Sequence, residues 1–315
     1  MSILVTGANG WVGQSLCRQL KHRGFAVRAA VRSNASTLPA FDCTEVGAID
    51  GETNWQTALL DINTVVHLAA RVHVMKDDAA DPLSEFRRVN VQGSLNLARQ
   101  AAAASVQRLV FVSSVKVHGE FTDTGQAFAE TDTPMPRDPY GLSKWEAEQG
   151  LLHIAHETGL DIVIIRPPLV YGPGVKANFA ALMHWVQRGR PLPFGAINNA
   201  RSLVALDNLV DLMITCIDHP LAANQAFLVS DGHDLSTADL VRGMAHAAGV
   251  TPRLWSIPIW LLQLLGVLMG KSDSMARLCG NLQVDIGKAR QVLGWVPLVN
   301  VADGLRKAVG GESEL

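Results

Sequence analysis

Tyr140 and Lys144, four positions apart, have the side chains and the spacing of an acid–base pair. On a helix, this separation places two side chains on the same face, and Pro139 is typical of a helix N-terminus. A free tyrosine has a pKa of about 10 and transfers protons poorly at neutral pH. Because a nearby ammonium group favours the tyrosinate, we expect Lys144 to lower the pKa of Tyr140 and to make it a catalytic acid–base residue.

Two serines, Ser113 and Ser114, follow the apolar residues 110–112. A hydroxyl group at the end of a strand can bind a carbonyl or hydroxyl oxygen of a substrate, although serines there also cap backbone groups. Considered together with Tyr140 and Lys144, Ser114 is predicted to be the third catalytic residue.

A glycine-rich loop, TGANGWVG, lies between the first apolar segment and the first predicted helix. Its glycines would permit a tight turn, a close approach to a pyrophosphate and close packing of helix on strand. The helix that follows would direct free N–H groups at the phosphates. The spacing is GxxGxxG rather than GxGxxG, and it predicts a dinucleotide cofactor. The expected contacts are Gly7, Asn9, Gly10, Trp11, Val12 and Gly13.

The end of the second predicted strand indicates which nicotinamide cofactor is bound. Folds that bind NAD usually place a carboxylate there for the adenosine ribose. Here the strand leads into Arg32, with no carboxylate nearby, and arginine suits a 2′-phosphate. NADP(H) is therefore favoured over NAD(H), although a solvent-exposed Arg32 in an NAD-binding protein is the alternative.

The elements that position these residues follow an alternating pattern of apolar strands and helices, which predicts a doubly wound parallel sheet. The expected class is α/β, a Rossmann-type sheet with a smaller, mainly helical C-terminal substrate domain. Strands are predicted at residues 3–5, 26–31, 64–68, 108–113 and 161–166, and helices near 12–23, 83–104 and 140–158.

Prolines and glycines that follow Arg166 interrupt this alternation. We expect a dinucleotide-binding domain at 1–170, to which 203–231 return, and a substrate-binding domain made of 171–202 and 232–315. Segments 204–216 and 225–229 are predicted to rejoin the main sheet. The substrate would lie between the two domains.

The most apolar stretch, residues 254–270, is interrupted by Pro258. The remainder is shorter than the about 20 residues of a membrane-spanning helix. We expect a helix buried in the substrate domain rather than one lying on a membrane surface.

The composition narrows the possible partners and location. The net charge of −2 over 315 residues argues against a nucleic-acid or anionic-membrane partner, which would usually show a basic surplus. Four scattered cysteines, with no secretory signal before the first strand, predict a reducing, cytoplasmic location. His153 and His156 have no third ligand at a suitable spacing, so no metal is expected.

Taken in order, these motifs resemble those of the extended short-chain dehydrogenases/reductases, in the group of epimerases and dehydratases that act on nucleotide sugars. Further segments match this group: HLAA at 67–70, VNV at 89–91, SSVKVHG at 113–119 and RPP at 166–168. The resemblance implies additional cofactor contacts at Ile49, Leu68, Ala69, Ala70, Asn90, Tyr140, Lys144 and Pro167, and substrate contacts at Ser114, Asn178 and Arg201. It also implies a homodimer formed through the helices at 83–104 and 140–156.

The chain departs from the family pattern at three places. His118 replaces the tyrosine of the SSxxVYG segment, and Ala48 replaces a common aspartate next to the adenine. Val115 and Lys116 replace the Asp-Glu pair of sugar dehydratases, so dehydration is not expected because its acid and base are missing.

The remaining alternatives differ in the fate of the hydride. The absent ribose carboxylate and Arg32 favour reduction of a UDP-4-keto-6-deoxy-hexosamine by NADPH. The alternative is a 4-epimerase of the UDP-glucose or UDP-N-acetylglucosamine type with tightly bound NAD. A regulatory protein that only senses the nicotinamide pool is disfavoured, because it would not need the three catalytic residues.

Overall fold

The computed structural model describes residues 1–33, 38, 40–72 and 81–310. Its strands are β1 (Ser2–Thr6), β2 (Ala26–Val31), β3 (Asp42–Glu45), β4 (Thr64–His67), β5 (Arg108–Val112), β6 (Asp161–Arg166), β7 (Leu169–Tyr171), β8 (Leu203–Ala205) and β9 (Gln225–Leu228). Its α-helices are α1 (Trp11–His22), α2 (Pro82–Phe86), α3 (Ser94–Ala103), α4 (Pro139–Thr158), α5 (Ala177–Gln187), α6 (Leu206–Asp218), α7 (Thr237–Ala247), α8 (Ile259–Leu268), α9 (Ser272–Cys279), α10 (Gly287–Leu293) and α11 (Val301–Gly310). A π-helical segment, Arg87–Gly93, joins α2 to α3.

Seven of the described strands form one parallel sheet in the order β3-β2-β1-β4-β5-β6-β9. The predicted Rossmann-type α/β class is confirmed. Thr6 at the end of β1 lies opposite Ala30 of β2 and His67 of β4. Because parallel strands end at one edge of the sheet, the loops after β1, β4 and β5 meet there, where ligands bind in such folds.

Helices cover both faces of this sheet, so the central strands are apolar on both sides. Helices α1, α6 and α10 contribute to the core on one face, and α3 and α4 to the core on the other. A further cluster joins α5, α7 and α11 to β7 and β8, which pair with each other in a separate two-stranded sheet.

Two strand predictions need correction. The edge strand β3 was not predicted, because its sequence, DCTE, is short and largely polar. The prediction that 204–216 rejoins the main sheet is wrong, since β8 pairs with β7 and the following residues form α6. Helix α6 is buried along most of its length, and a continuous apolar run cannot be assigned to strand or helix from periodicity alone. Residues 225–228 do join the main sheet, as β9.

The prediction of a buried helix within 254–270 is also wrong. Helix α8 forms after Pro258, but only Leu262 and Gly266 of its residues are buried. Trp260 is 66% exposed and Leu268 74%. Among the described residues, no helix combines the length and apolarity needed to cross a membrane. The proposed domain boundaries remain a prediction.

Candidate active site

The glycine loop after β1 is tightly folded and packed against the turn after β4. Gly7 has a φ of +66°, and its carbonyl oxygen accepts from the Gly10 N–H at 2.9 Å. A Cβ on Gly13 would lie 2.2 Å from that oxygen, and one on Gly7 would lie 2.9 Å from the Ala69 nitrogen. Only glycine fits this cradle, which matches the requirement for close approach of a pyrophosphate. The predicted contacts 7–13 and 68–70 therefore lie side by side.

The first helix begins at this loop without a side-chain cap on Gly10. Its first-turn N–H groups are therefore available to an anion. Trp11 closes the loop from the other side, because its Nε1 donates to the Pro173 carbonyl at 2.6 Å. The residues present thus fit a dinucleotide cofactor.

Arg32 and Ile49 lie near the adjacent strand ends. Arg32 is exposed directly after β2, and its carbonyl accepts from the Gly47 N–H at 3.1 Å. Ile49 lies in the loop after β3 and packs so closely on Gly93 that a Cβ there would lie 2.7 Å from its Cγ2 atom.

Asn90 sits on the π-helical segment and is fully buried. Its Oδ1 accepts from the Arg71 N–H at 2.8 Å, and its Nδ2 donates to the Arg71 carbonyl and to Ser143 Oγ, both at 3.0 Å. Ser143 in turn donates to the Tyr140 carbonyl at 2.8 Å. Asn90 therefore ties the turn after β4 to the first turn of α4, and π-helical segments are common at such functional sites.

His67, at the end of β4, is a second buried connector. One ring nitrogen lies 2.6 Å from Thr6 Oγ1 and the other 2.9 Å from Ser94 Oγ. Burial, with a contribution from the positive charge of Lys144, lowers the pKa of His67 to about 3. The ring is therefore neutral and links β1, β4 and α3.

Helix α4 carries the predicted acid–base pair. Asp138 caps it, accepting from the Gly141 N–H at 2.6 Å, and Pro139 occupies its first turn. Lys144 Nζ donates to the Val112 carbonyl at 2.8 Å and lies 6.0 Å from the centroid of the Tyr140 ring. The helix thus brings both side chains to the end of β5.

The expectation that Lys144 lowers the pKa of Tyr140 is wrong for the chain as it stands. Burial, and secondarily the negative charge of Asp138, raise the pKa of Tyr140. Burial also lowers the pKa of Lys144 to about 7, partly offset by the charge of Glu148. In both residues desolvation disfavours the charged form.

The serines after β5 differ in their surroundings. Ser114 is half-buried, and its Oγ accepts from the Lys116 N–H at 3.2 Å. Ser113 is buried, and its Oγ has no hydrogen-bond partner among the described residues. The Val115 N–H donates to the carbonyl of Pro167 at 2.9 Å, so this predicted cofactor contact borders the serine segment.

An internal ion pair behind this segment was not foreseen from the sequence. Glu148 of α4 and Arg166 of β6 are joined by two hydrogen bonds, at 3.1 and 2.6 Å. Arg166 Nη1 also lies 2.9 Å from His118 Nε2. Burial and the charge of Arg166 lower the pKa of His118 to about 4. Since the partners come from 18 and 48 residues away, no local pattern signals them.

A second charged group lies beside Ser114. Lys116 forms ion pairs with Asp138 and, at 3.1 Å, with Glu120. Glu120 also contacts Arg277 of α9 at 3.0 Å. An aspartate directly before a proline that opens a helix is the one sequence signal that predicts the Asp138 cap.

The predicted substrate contacts away from α4 lie on separate elements. Asn178 is exposed in the first turn of α5. Arg201 precedes β8, and its Nη1 donates to the carbonyls of Arg277 and Gly280 at 2.8 and 3.0 Å. Burial and the charge of Arg277 lower the pKa of Arg201. No group of residues suited to a metal ion occurs in the described ranges.

Comparisons with known proteins are consistent with this geometry. Residues 3–230 match the model of the NAD dependent epimerase/dehydratase family. The chain is 49% identical to a UDP-glucose 4-epimerase of Vibrio cholerae, over 97% of this chain and 94% of the relative. It is 29% identical to a 2-alkyl-3-oxoalkanoate reductase of Stenotrophomonas maltophilia, over 98% of each. The structure of MoeE5 in complex with UDP-glucose and NAD superposes with a TM-score of 0.78 at 25% identity, covering 99% of this chain and 98% of that one.

Proposed function

The chain belongs to the NAD-dependent epimerase/dehydratase family of enzymes, and we propose that it is a UDP-hexose 4-epimerase, of the UDP-glucose or UDP-N-acetylglucosamine type, that keeps NAD bound. The similarity to the Vibrio cholerae epimerase, which extends through nearly the whole of both chains, carries this proposal. It reverses the order expected from the sequence, where reduction was favoured over epimerisation.

The proposed roles of the catalytic residues follow from their positions. A bound nicotinamide would accept a hydride from the sugar carbon and return it. Tyr140 moves the proton at the sugar 4-oxygen, and its hydroxyl makes no hydrogen bond to the described residues that would have to be broken first. Ser114 holds that oxygen, and Lys144, anchored on the Val112 carbonyl, supplies positive charge beside the phenol.

The residues proposed to hold the ligands are those predicted from the sequence. Loop 7–13, the turn 68–70 and the ends of β2 and β3 would bind the dinucleotide, and Asn178 and Arg201 the substrate diphosphate. We also propose the predicted domain division, a cytoplasmic location, a role in polysaccharide biosynthesis and a homodimer formed through α4 and the α2–α3 segment.

One observation favours a second candidate, the NADPH-dependent 4-ketoreductase. Strand β2 ends without a carboxylate and is followed by the exposed Arg32, which suits a 2′-phosphate. The similarity to a reductase of Stenotrophomonas maltophilia supports such a reaction within this group of relatives.

The two candidates are separated by one pair of measurements. The purified protein is denatured and the released nucleotide is quantified, and the native protein is supplied with UDP-glucose, UDP-N-acetylglucosamine or a UDP-4-keto sugar plus NADPH. Stoichiometric released NAD and interconversion of UDP-hexoses support the epimerase. Net oxidation of NADPH at 340 nm, without interconversion, rejects it in favour of the reductase.

The proton-transfer role has its own test. Tyr140→Phe should reduce kcat by about 10²–10⁴-fold because the proton donor is lost, while leaving nucleotide binding intact. The control is Tyr171→Phe, because Tyr171 is the only other tyrosine and donates to Asp231 at 2.7 Å in the core. That change should lower stability rather than the turnover of the folded protein. An unchanged kcat in Tyr140→Phe would refute the assignment.

A further inference from the structure

Helix α8 presents its apolar side chains to solvent. Trp260 is 66% exposed, Leu264 48% and Val267 64%. Only Leu262 and Gly266 of its residues are buried, and the helix packs closely on α9, because a Cβ on Gly266 would lie 2.9 Å from the Cβ of Met275. A helix in a globular domain normally turns its apolar side toward the core, whereas α8 turns its apolar side toward solvent.

The exposed residues continue on both sides of α8. We use the term apolar face for Trp255, Ile259, Trp260, Leu264, Leu265, Val267, Leu268 and Met269, each of which is more than a third exposed. Contiguous apolar surface of this kind marks an interaction site. Gln263 is the one polar side chain in the described helix α8, and it is exposed as well.

Basic residues surround this face. Segments 176–199 and 251–281 together contain six lysines and arginines and one aspartate, whereas the whole chain has a net charge of −2. Arg253 and Lys271 are exposed at the two ends of the apolar face. The Arg253 carbonyl accepts from the Leu192 N–H at 2.8 Å, which brings the segment containing the exposed Arg188 and Arg190 alongside.

We infer that the apolar face docks on the surface of an anionic lipid bilayer, with α8 lying in the plane of the interface. Leucine and valine side chains would enter the acyl boundary, and Trp255 and Trp260 would lie at the headgroup level, where tryptophan is enriched. The basic rim would contact the anionic headgroups. The helix has 10 residues, too few to span a bilayer.

The charge distribution favours a bilayer over a second copy of the chain. In a two-fold dimer through this face, the same surface patch is used by both copies. Arg253 and Lys271 would then be brought against an equally basic rim, which opposes association. An anionic bilayer instead offers acyl chains to the apolar side chains and negatively charged headgroups to the cations.

The apolar face also connects to the substrate side of the protein. Helix α9, which packs on α8, carries Arg277, whose side chain contacts Glu120 and whose carbonyl accepts from Arg201. Docking would therefore place α9 and Arg201, which is proposed to bind the substrate diphosphate, close to the bilayer. This inference goes beyond the proposed 4-epimerase activity and does not depend on it.

The test is flotation of the full chain with vesicles of phosphatidylcholine, alone or mixed with phosphatidylglycerol. We expect binding to the mixed vesicles that weakens as salt is raised. The double variant Leu264→Ser/Leu268→Ser should bind about tenfold or more weakly. The matched control is Leu60→Ser/Leu221→Ser, which removes two leucines that are each 60% exposed outside the apolar face, and it should bind like the unmodified protein.

Several outcomes would overturn the inference. These are absence of binding to the mixed vesicles, equal binding to both vesicle types, and equal losses in the two double variants. Sedimentation velocity is run in parallel. A dimer that dissociates in Leu264→Ser/Leu268→Ser but not in the control, without vesicle binding, would assign the face to a second copy instead. All four leucines are exposed, and circular dichroism verifies that each variant is folded.

Discussion

Replacement of Glu148 by glutamine tests the buried ion pair behind the active site. The Glu148 side chain is fully buried and that of Arg166 is 6% exposed, and two hydrogen bonds join them. Glu148→Gln leaves the guanidinium buried without its counter-charge. Breaking such a pair costs about 3–5 kcal/mol, a large part of the about 5–15 kcal/mol that stabilises a typical folded protein.

The free energy of unfolding is measured by urea titration followed by circular dichroism. Helix α4 provides the control in Glu146→Gln, because Glu146 makes a similar two-pronged contact with Arg87 at the surface. That variant should lose far less stability, since solvent screens exposed pairs. In Glu148→Gln/Arg166→Met no unpaired charge remains, and much of the loss should be recovered. Equal losses in Glu148→Gln and Glu146→Gln would refute the reasoning.

Three other changes test the site. The pKa of His118 is about 4 in the folded protein and about 6.5 in the unfolded chain. The free energy of unfolding should therefore fall as pH drops from about 6.5 to 4, by up to about 1.4 kcal/mol per pH unit. In His118→Phe, urea titrations at several pH values should show a shallower dependence of this free energy on pH. Gly13→Ala places a Cβ 2.2 Å from the carbonyl oxygen of the loop's first glycine; calorimetry should show at least about tenfold weaker dinucleotide binding, and unchanged affinity would contradict the cradle. Asp138→Asn can keep the helix cap but removes a charge that raises the pKa of Tyr140. The limb of the pH–kcat/KM profile that reports the phenol should therefore move to lower pH. A limb that stays at the same pH would exclude this electrostatic effect.

The parts of the fold that the sequence predicted are those specified by short, local patterns. Strands at the centre of the sheet are continuous apolar runs, and the glycine loop sits directly after the first of them. Pro139 predicts the start of α4, and the spacing of Tyr140 and Lys144 then places both on it. Such signals need no knowledge of distant contacts.

The parts that could not be predicted depend on contacts between distant residues. The direction of the Tyr140 pKa shift required the burial of the phenol, which spacing does not reveal. The apolar character of α8 predicted a helix but not which way it faces, because hydropathy is the same for a buried and an exposed leucine. The prediction that residues 204–216 rejoin the main sheet failed for a related reason, because the apolar run of the buried α6 fits a strand equally well.

The buried ion pair also bears on the acid–base chemistry. The proposed role of Lys144, which is to place positive charge beside the Tyr140 phenol, requires a charged ammonium group. Burial lowers the pKa of Lys144 to about 7, where only about half of the groups are charged at neutral pH. Glu148, one helical turn further along α4, opposes that shift with its negative charge. Arg166 holds the Glu148 carboxylate in place. An apolar pair of similar volume is often as stable as a buried ion pair, but it would not oppose the lowering of the Lys144 pKa. We therefore explain the Glu148–Arg166 pair by its electrostatic effect on Lys144 rather than by its contribution to stability.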